Sequence, residues 1–238
     1  MPLTPNKTKR FLIIGIIGLI ATLTGFSTTF LIPLSNGTFK APLVIYVHGF
    51  LAFTWICLFL VQSILVQQDN LKVHRLLGNF GFVIAVGITI TLIPVGLYQV
   101  EKELSQGLGQ TAISSIIGTI TSALIFIMLV LAGILKRHKP ASHKRLMLLA
   151  TILLLWPAWF RFRHLFPSIP NPEIWFAIVL ADSLIVISII WDKIALGKFN
   201  PTLLYAGVFI IIEHITEAYM FDTTLWREIA NTIYELLT

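Results

Sequence analysis

Four polar side chains recur every seventh residue across an otherwise apolar stretch: His48, Trp55, Gln62 and Asp69. On a helix of 3.6 residues per turn, a spacing of seven drifts by only ~20° per repeat, so these side chains form one stripe. Hydrocarbon cannot solvate an imidazole or a carboxamide. The stripe of His48, Trp55 and Gln62 must therefore face protein or trapped water. A second group lies nearer the C-terminus, with Asp182 in one apolar run and Glu213, His214 and Glu217 in the next. His214 and Glu217 share a helix face. Counted at ~1.5 Å per residue, His48, Asp182 and His214 fall at similar depths, roughly 8 to 12 Å below one membrane boundary. Two imidazoles with carboxylates can hold zinc, iron or manganese, or pass protons. His48, Asp182, His214 and Glu217 are thus the candidate metal set, with Arg161 close in depth. The competing reading is structural: His48 bonds a neighbouring carbonyl, Glu217 is interfacial, and Arg161 pairs with Asp182.

His74 and His143 form a third group. Each opens an apolar run and is followed by a cation, in VHRLLG and SHKRLM. A helix N-terminus and an adjacent cation both favour the neutral ring, which can act as a ligand. The alternative is that these helix N-termini, with Arg75, Lys144 and Arg145, bind lipid phosphates. Paired as His48 with His214 and His74 with His143, the four histidines have the layout of a transmembrane di-haem cytochrome b. Haem b or a divalent metal is accordingly the cofactor to look for, and His48, His214, His74 and His143 are its candidate ligands.

The elements that carry these groups follow from composition. The chain is 238 residues long, 56% hydrophobic and 12% charged, with a mean hydropathy of +0.87. A soluble domain carries about twice that charge. The class is all-α, a polytopic membrane protein occupying 1–238 as a single membrane domain. Apolar runs of about 20 residues, each enough for one crossing, are expected at 11–31, 43–66, 76–98, 111–135, 146–164, 174–191 and 202–220. A cleaved signal peptide is the alternative for the first, although its apolar region exceeds the usual length. The segment 224–237 places Leu225, Ile229, Ile233 and Leu236 on one face and is expected to lie along the interface, with Trp226 at headgroup level. Seven spans form the bundle. Twelve of the 17 Lys and Arg then fall on the side of the N-terminus, which places that terminus in the cytoplasm and the C-terminus outside.

The net charge of +6 does not indicate nucleic acid, because the basic residues sit in loops beside spans. The lone Cys57 excludes an intrachain disulfide. The expected partner is the lipid bilayer, and the expected location a bacterial inner membrane. Aligning His74-Arg75 with His143-Lys144 sets spans two and three upon four and five, as a duplicated helix hairpin would.

At these residues the chain resembles a broad set of uncharacterised bacterial multi-pass membrane proteins. The shared pattern reads here as His48-Gly49, Trp55, Gln62, His74-Arg75-Leu76-Leu77-Gly78 and His143-Lys144-Arg145-Leu146-Met147. The likeness covers spans two to five and implies a shared architecture without an assigned activity. The chain departs from the pattern at Thr121-Ser122, where an acidic residue is common, and Glu213 to Glu217 lies outside it. Two functions remain open from the sequence. One is a redox or proton-linked membrane component with a buried His and carboxylate site, with haem as a candidate cofactor. The other is a non-enzymatic accessory, transporter-like or sensor protein whose stripe only packs helices.

Overall fold

The computed structural model describes residues 6–238, with side chains from residue 9 onward; the start of the segment weighed above as a signal peptide lies outside the described residues. Every regular element among them is helical. Six helical segments are long and apolar enough to cross a membrane, and a bent N-terminal pair makes a seventh if counted as one crossing. The protein is an all-α polytopic membrane bundle.

The first crossing is α1 (Asn6–Gly25), followed by a wider π-helical turn (Ser27–Leu31) and the short α2 (Ile32–Ser35). The chain bends by 47° between them. Gly25 lies against the backbone of Ala158, where a Cβ would collide with the carbonyl, and Pro33 begins the short helix. What the sequence presents as one straight span, 11–31, is therefore broken.

Next come α3 (Leu43–Gln67) and α4 (Leu71–Ser105), joined by a tight turn. Asn70 caps α4 by accepting from the Val73 N–H at 3.3 Å. At 35 residues, α4 outruns the expected 76–98. Nothing in 99–105 breaks a helix, and Gln99 donates one turn on to Glu103 at 2.6 Å. The helix yields only at Gly107 and Gly109, which take φ of +86° and +57°.

The remaining spans are α5 (Gln110–Leu135), the α6 (Pro140–Leu154) and α7 (Trp156–Phe160) pair, a π-helical segment (Glu173–Leu180) that runs into α8 (Ala181–Leu196), and α9 (Pro201–Met220). The last helix is α10 (Thr224–Leu237). The span from Pro140 to His164 is the most enclosed, with 61% of its apolar window buried, against 11% for α3. It is the centre of the bundle, and its Leu148, Leu149, Ile152 and Leu155 are sealed in the main core. Large side chains elsewhere point outward, Phe50 at 71% and Ile90 at 66% exposure among them. Lipid solvates such surfaces, which water would not.

Helix α10 packs on α5 through Trp226 and Ala230, which meet Ile116, Ile117 and Val100. Leu225, Ile229 and Leu236 stay exposed on its outer face. That is the geometry of an amphipathic helix docked on the bundle.

Candidate functional site

At the end of the bundle away from the basic loops, α8 and α9 bring Asp182 and His214 together. Nδ1 of His214 lies 2.7 Å from Oδ1 of Asp182, and both residues are buried. The carboxylate accepts the Nδ1 proton, which leaves Nε2 as the free nitrogen. Glu213 Oε2 stands 3.8 Å from that Nε2, and the Trp156 ring lies 6.4 Å from the imidazole. Glu217, one turn further along α9, reaches the backbone of α5 at Gly118. A Cβ there would overlap its carboxylate, so the glycine makes the approach possible. The π-helical turns of Glu173–Leu180 end just before Asp182. Segments of this kind recur at functional sites because they displace side chains from regular α register.

The expected metal set does not gather. His48 faces α4, with Nδ1 2.9 Å from Thr91 Oγ1. Thr91 donates its own proton to the Gly87 carbonyl at 2.7 Å, so the imidazole is the donor in the first bond. Among the described residues no three of His, Cys, Asp and Glu are grouped as they would be around a metal ion. Arg161 does not reach Asp182 either. It donates to the Pro157 carbonyl at 2.9 Å and stacks its guanidinium 4.2 Å from the centre of the Phe26 ring. Of the two histidine pairs considered for haem, His48 and His214 have separate partners, whereas His74 and His143 come ring to ring, 6.5 Å between centroids and nearly perpendicular.

The stripe faces inward along its length. Below His48, the Trp55 indole N–H donates to Thr151 on α6 at 3.1 Å and the ring packs on Phe126. Gln62 donates from Nε2 to the His74 carbonyl at 3.0 Å. His143 donates from Nδ1 to the Gly133 carbonyl at 2.8 Å, and Met147, one turn on, covers the same glycine. The residues of the HRLLG and HKRLM motifs thus have a shared physical role in joining α3, α4, α5 and α6.

Arg145 is corrected from a lipid-phosphate ligand to a buried structural cation. It is 2% exposed and donates to both Asp192 oxygens, from Nε at 2.5 Å and from Nη2 at 2.9 Å. Arg10 on α1 pairs with the same carboxylate. The sequence suggests a loop at Asp192, yet α8 runs on to Leu196 and ends at Gly197, with φ of +69°. Two guanidiniums make it possible to bury the carboxylate there. A signal existed in the sequence: Arg145 sits next to an uninterrupted apolar run, where a cation requires an anion. Lys144 lies over the Phe11 ring at 5.2 Å, and Arg75 is exposed.

Asp222 was not among the candidate residues read from the sequence. It accepts from Thr111 at 2.9 Å, Ser114 at 2.7 Å and the Arg227 guanidinium at 2.5 and 2.9 Å. Arg227 first, then the two hydroxyls, hold its carboxyl well below the usual carboxylate range. Comparison with protein-family models, with curated proteins and with solved structures finds no match for this chain.

Proposed function

We propose that this integral membrane protein carries out proton-linked chemistry at the Asp182–His214 pair, as a component of membrane redox metabolism. The observation that carries the reading is the buried 2.7 Å bond between the two residues, set among apolar helices. Asp182 fixes the tautomer and stabilises an imidazolium once it forms, so Nε2 of His214 is the proton acceptor. Glu213 and Glu217, on the same helix, are the next carriers. A cleft of about 400 Å³ beside Asp182, walled by Ile178, Val179, Val186, Ile187 and Ile211, offers an approach from the lipid. Intramembrane ionisable groups of this kind commonly mark proton paths. We place the protein in a bacterial inner membrane with its N-terminus in the cytoplasm. Haem is not required by this reading.

Infrared difference spectra of the reconstituted protein test it. Between roughly pH 5 and 8, where histidine exchanges protons, wild type should show imidazole and carboxylate bands changing together. His214→Gln should remove both, and Asp182→Asn should leave an altered imidazole band. Spectra without a coupled His and carboxylate change in wild type would end the reading.

A second reading has its own support. The bonds from His48, Trp55 and Gln62 to neighbouring helices are what a purely structural stripe in an accessory protein would make. It predicts that substitutions in the stripe lower stability and leave the infrared response intact.

A further inference from the structure

The basic-loop end of the bundle contains a second polar cluster, which the proposed function does not use. Gln62 from α3, His74 from α4 and His143 from α6 converge there. Gln62 spends its Nε2 on the His74 carbonyl, while its Oε1 is buried without a hydrogen-bond partner among the described residues. His74 Nδ1 is likewise buried and unpartnered. His143 donates from Nδ1 to the Gly133 carbonyl, and since a carbonyl only accepts, the proton is fixed on Nδ1 and the Nε2 lone pair is left bare. A carboxamide oxygen on α3 and an imidazole nitrogen on α4 are thus buried with unused lone pairs, and the half-buried His143 ring of α6 stands beside the second. Buried polar atoms are rarely left so, and each such case calls for an occupant or a role.

The geometry points to a site for a single cuprous ion held in line between His74 and His143. Metal–nitrogen bonds are about 2 Å and a ring centroid lies about 1 Å behind its nitrogen, so two imidazoles in line on one ion stand about 6 Å apart, and closer at any bent angle. The observed separation is 6.5 Å. The donor set is small and uncharged, and the cations Arg75 and Lys144 are adjacent in the chain to the two histidines. Zinc asks for four ligands, commonly anionic ones, which this site lacks. Imidazole suits copper, and a monovalent ion meets less repulsion from the adjacent cations than a divalent one. The bond from His143 to the Gly133 carbonyl is the outer-shell contact that orients a metal-binding histidine. This site is separate from the Asp182–His214 pair, and either can fail without the other.

The test uses the full-length protein in detergent under anaerobic conditions, competing for Cu(I) against a chromophoric cuprous chelator. Wild type should withdraw one copper per chain. His74→Ala and His143→Ala should each bind at least tenfold more weakly, and His138→Ala, in the exposed loop, should match wild type. X-ray absorption of loaded wild type should show imidazole back-scattering at low coordination number, a readout that does not depend on any variant folding. Failure to withdraw copper, equal retention by the His74 and His143 variants, or a copper spectrum without imidazole would overturn the proposal and leave bridging water as the occupant. A Soret band in the protein as purified, lost in His74→Ala, would assign the pair to haem and equally overturn it.

Discussion

Asp192 shows how strongly one side chain can bind this bundle together. Buried at the basic-loop end, it carries Arg10 from α1 and Arg145 from α6. Asp192→Ala would leave two guanidiniums buried without a counter-charge, and the loss should be about 3 to 5 kcal/mol. Thermal unfolding followed by Cys57 reactivity measures it. The triple replacement of Arg10 by Met, Asp192 by Leu and Arg145 by Met should recover most of the loss, because it removes the desolvation cost with the pair. A variant that unfolds no earlier than wild type would show that the carboxylate does not hold the three helices. Trp55→Phe is a milder case: it leaves the ring's packing but deletes the donor to Thr151, so about 1 kcal/mol should be lost in the same assay. The inward direction of Trp55 was legible from heptad spacing. Its partner was not, because Thr151 lies 96 residues away and a threonine in an apolar run carries no directional signal. Asp192 was misread because local polarity resembles a loop when the compensating cations come from distant helices.

Helix α10 was legible almost to the residue, since its amphipathic period needs no tertiary information; the expected 224–237 matches Thr224–Leu237. What fixes it to the bundle was not. Asp222, with φ of +62°, turns back to accept from Thr111 and Ser114 on α5 and from Arg227 on α10 itself. Asp222→Asn should release α10 at neutral pH, seen as faster backbone hydrogen exchange over 224–237 with the rest of the bundle unchanged. The same contacts set a pH dependence. Because the folded-state carboxyl titrates below its ordinary value, its contribution is complete above the unfolded value of about 3.9 and declines as pH falls below it towards the lower folded value. Wild-type exchange over α10 should therefore be flat from neutrality down to about pH 4 and rise below it. A rise beginning near pH 6 would mean that a histidine, not Asp222, controls the helix. Elsewhere the sequence placed helices well and their breaks badly. The bend at Ser27–Leu31 arises where helices approach closely, as at Gly25 over Ala158, and apolar runs do not record such approaches; the break after Leu155 falls just before Pro157, which has no N–H to continue the helix.

Across the molecule, hydrogen bonds and ion pairs between helix ends agree with strict alternation of the crossings. The start of α6 meets the start of α9 through Ser142 and Thr202, the start of α1 meets the end of α8 through Arg10 and Asp192, and the start of α5 meets the loop before α10 through Thr111 and Asp222. Counting the bent pair as one crossing gives seven, an odd number, and the expectation is then that the two termini lie on opposite sides. The basic residues supply the sign. Two of the twelve assigned to the N-terminal side, Arg10 and Arg145, are buried on Asp192 inside the bundle, but the ten that remain still outnumber the five on the other side. Reporter fusions in the loop after α5, at Lys139, should report the cytoplasm, and fusions after Thr238 the opposite compartment. If the bent pair instead enters and leaves on the same face, the crossings drop to six. A fusion at Thr238 would then keep its extracytoplasmic position, because the charge bias of the later loops is unchanged, and the N-terminus alone would move outside. A tag ahead of α1 therefore separates the two topologies: protection from external protease in sealed cells supports seven crossings, and cleavage there supports six.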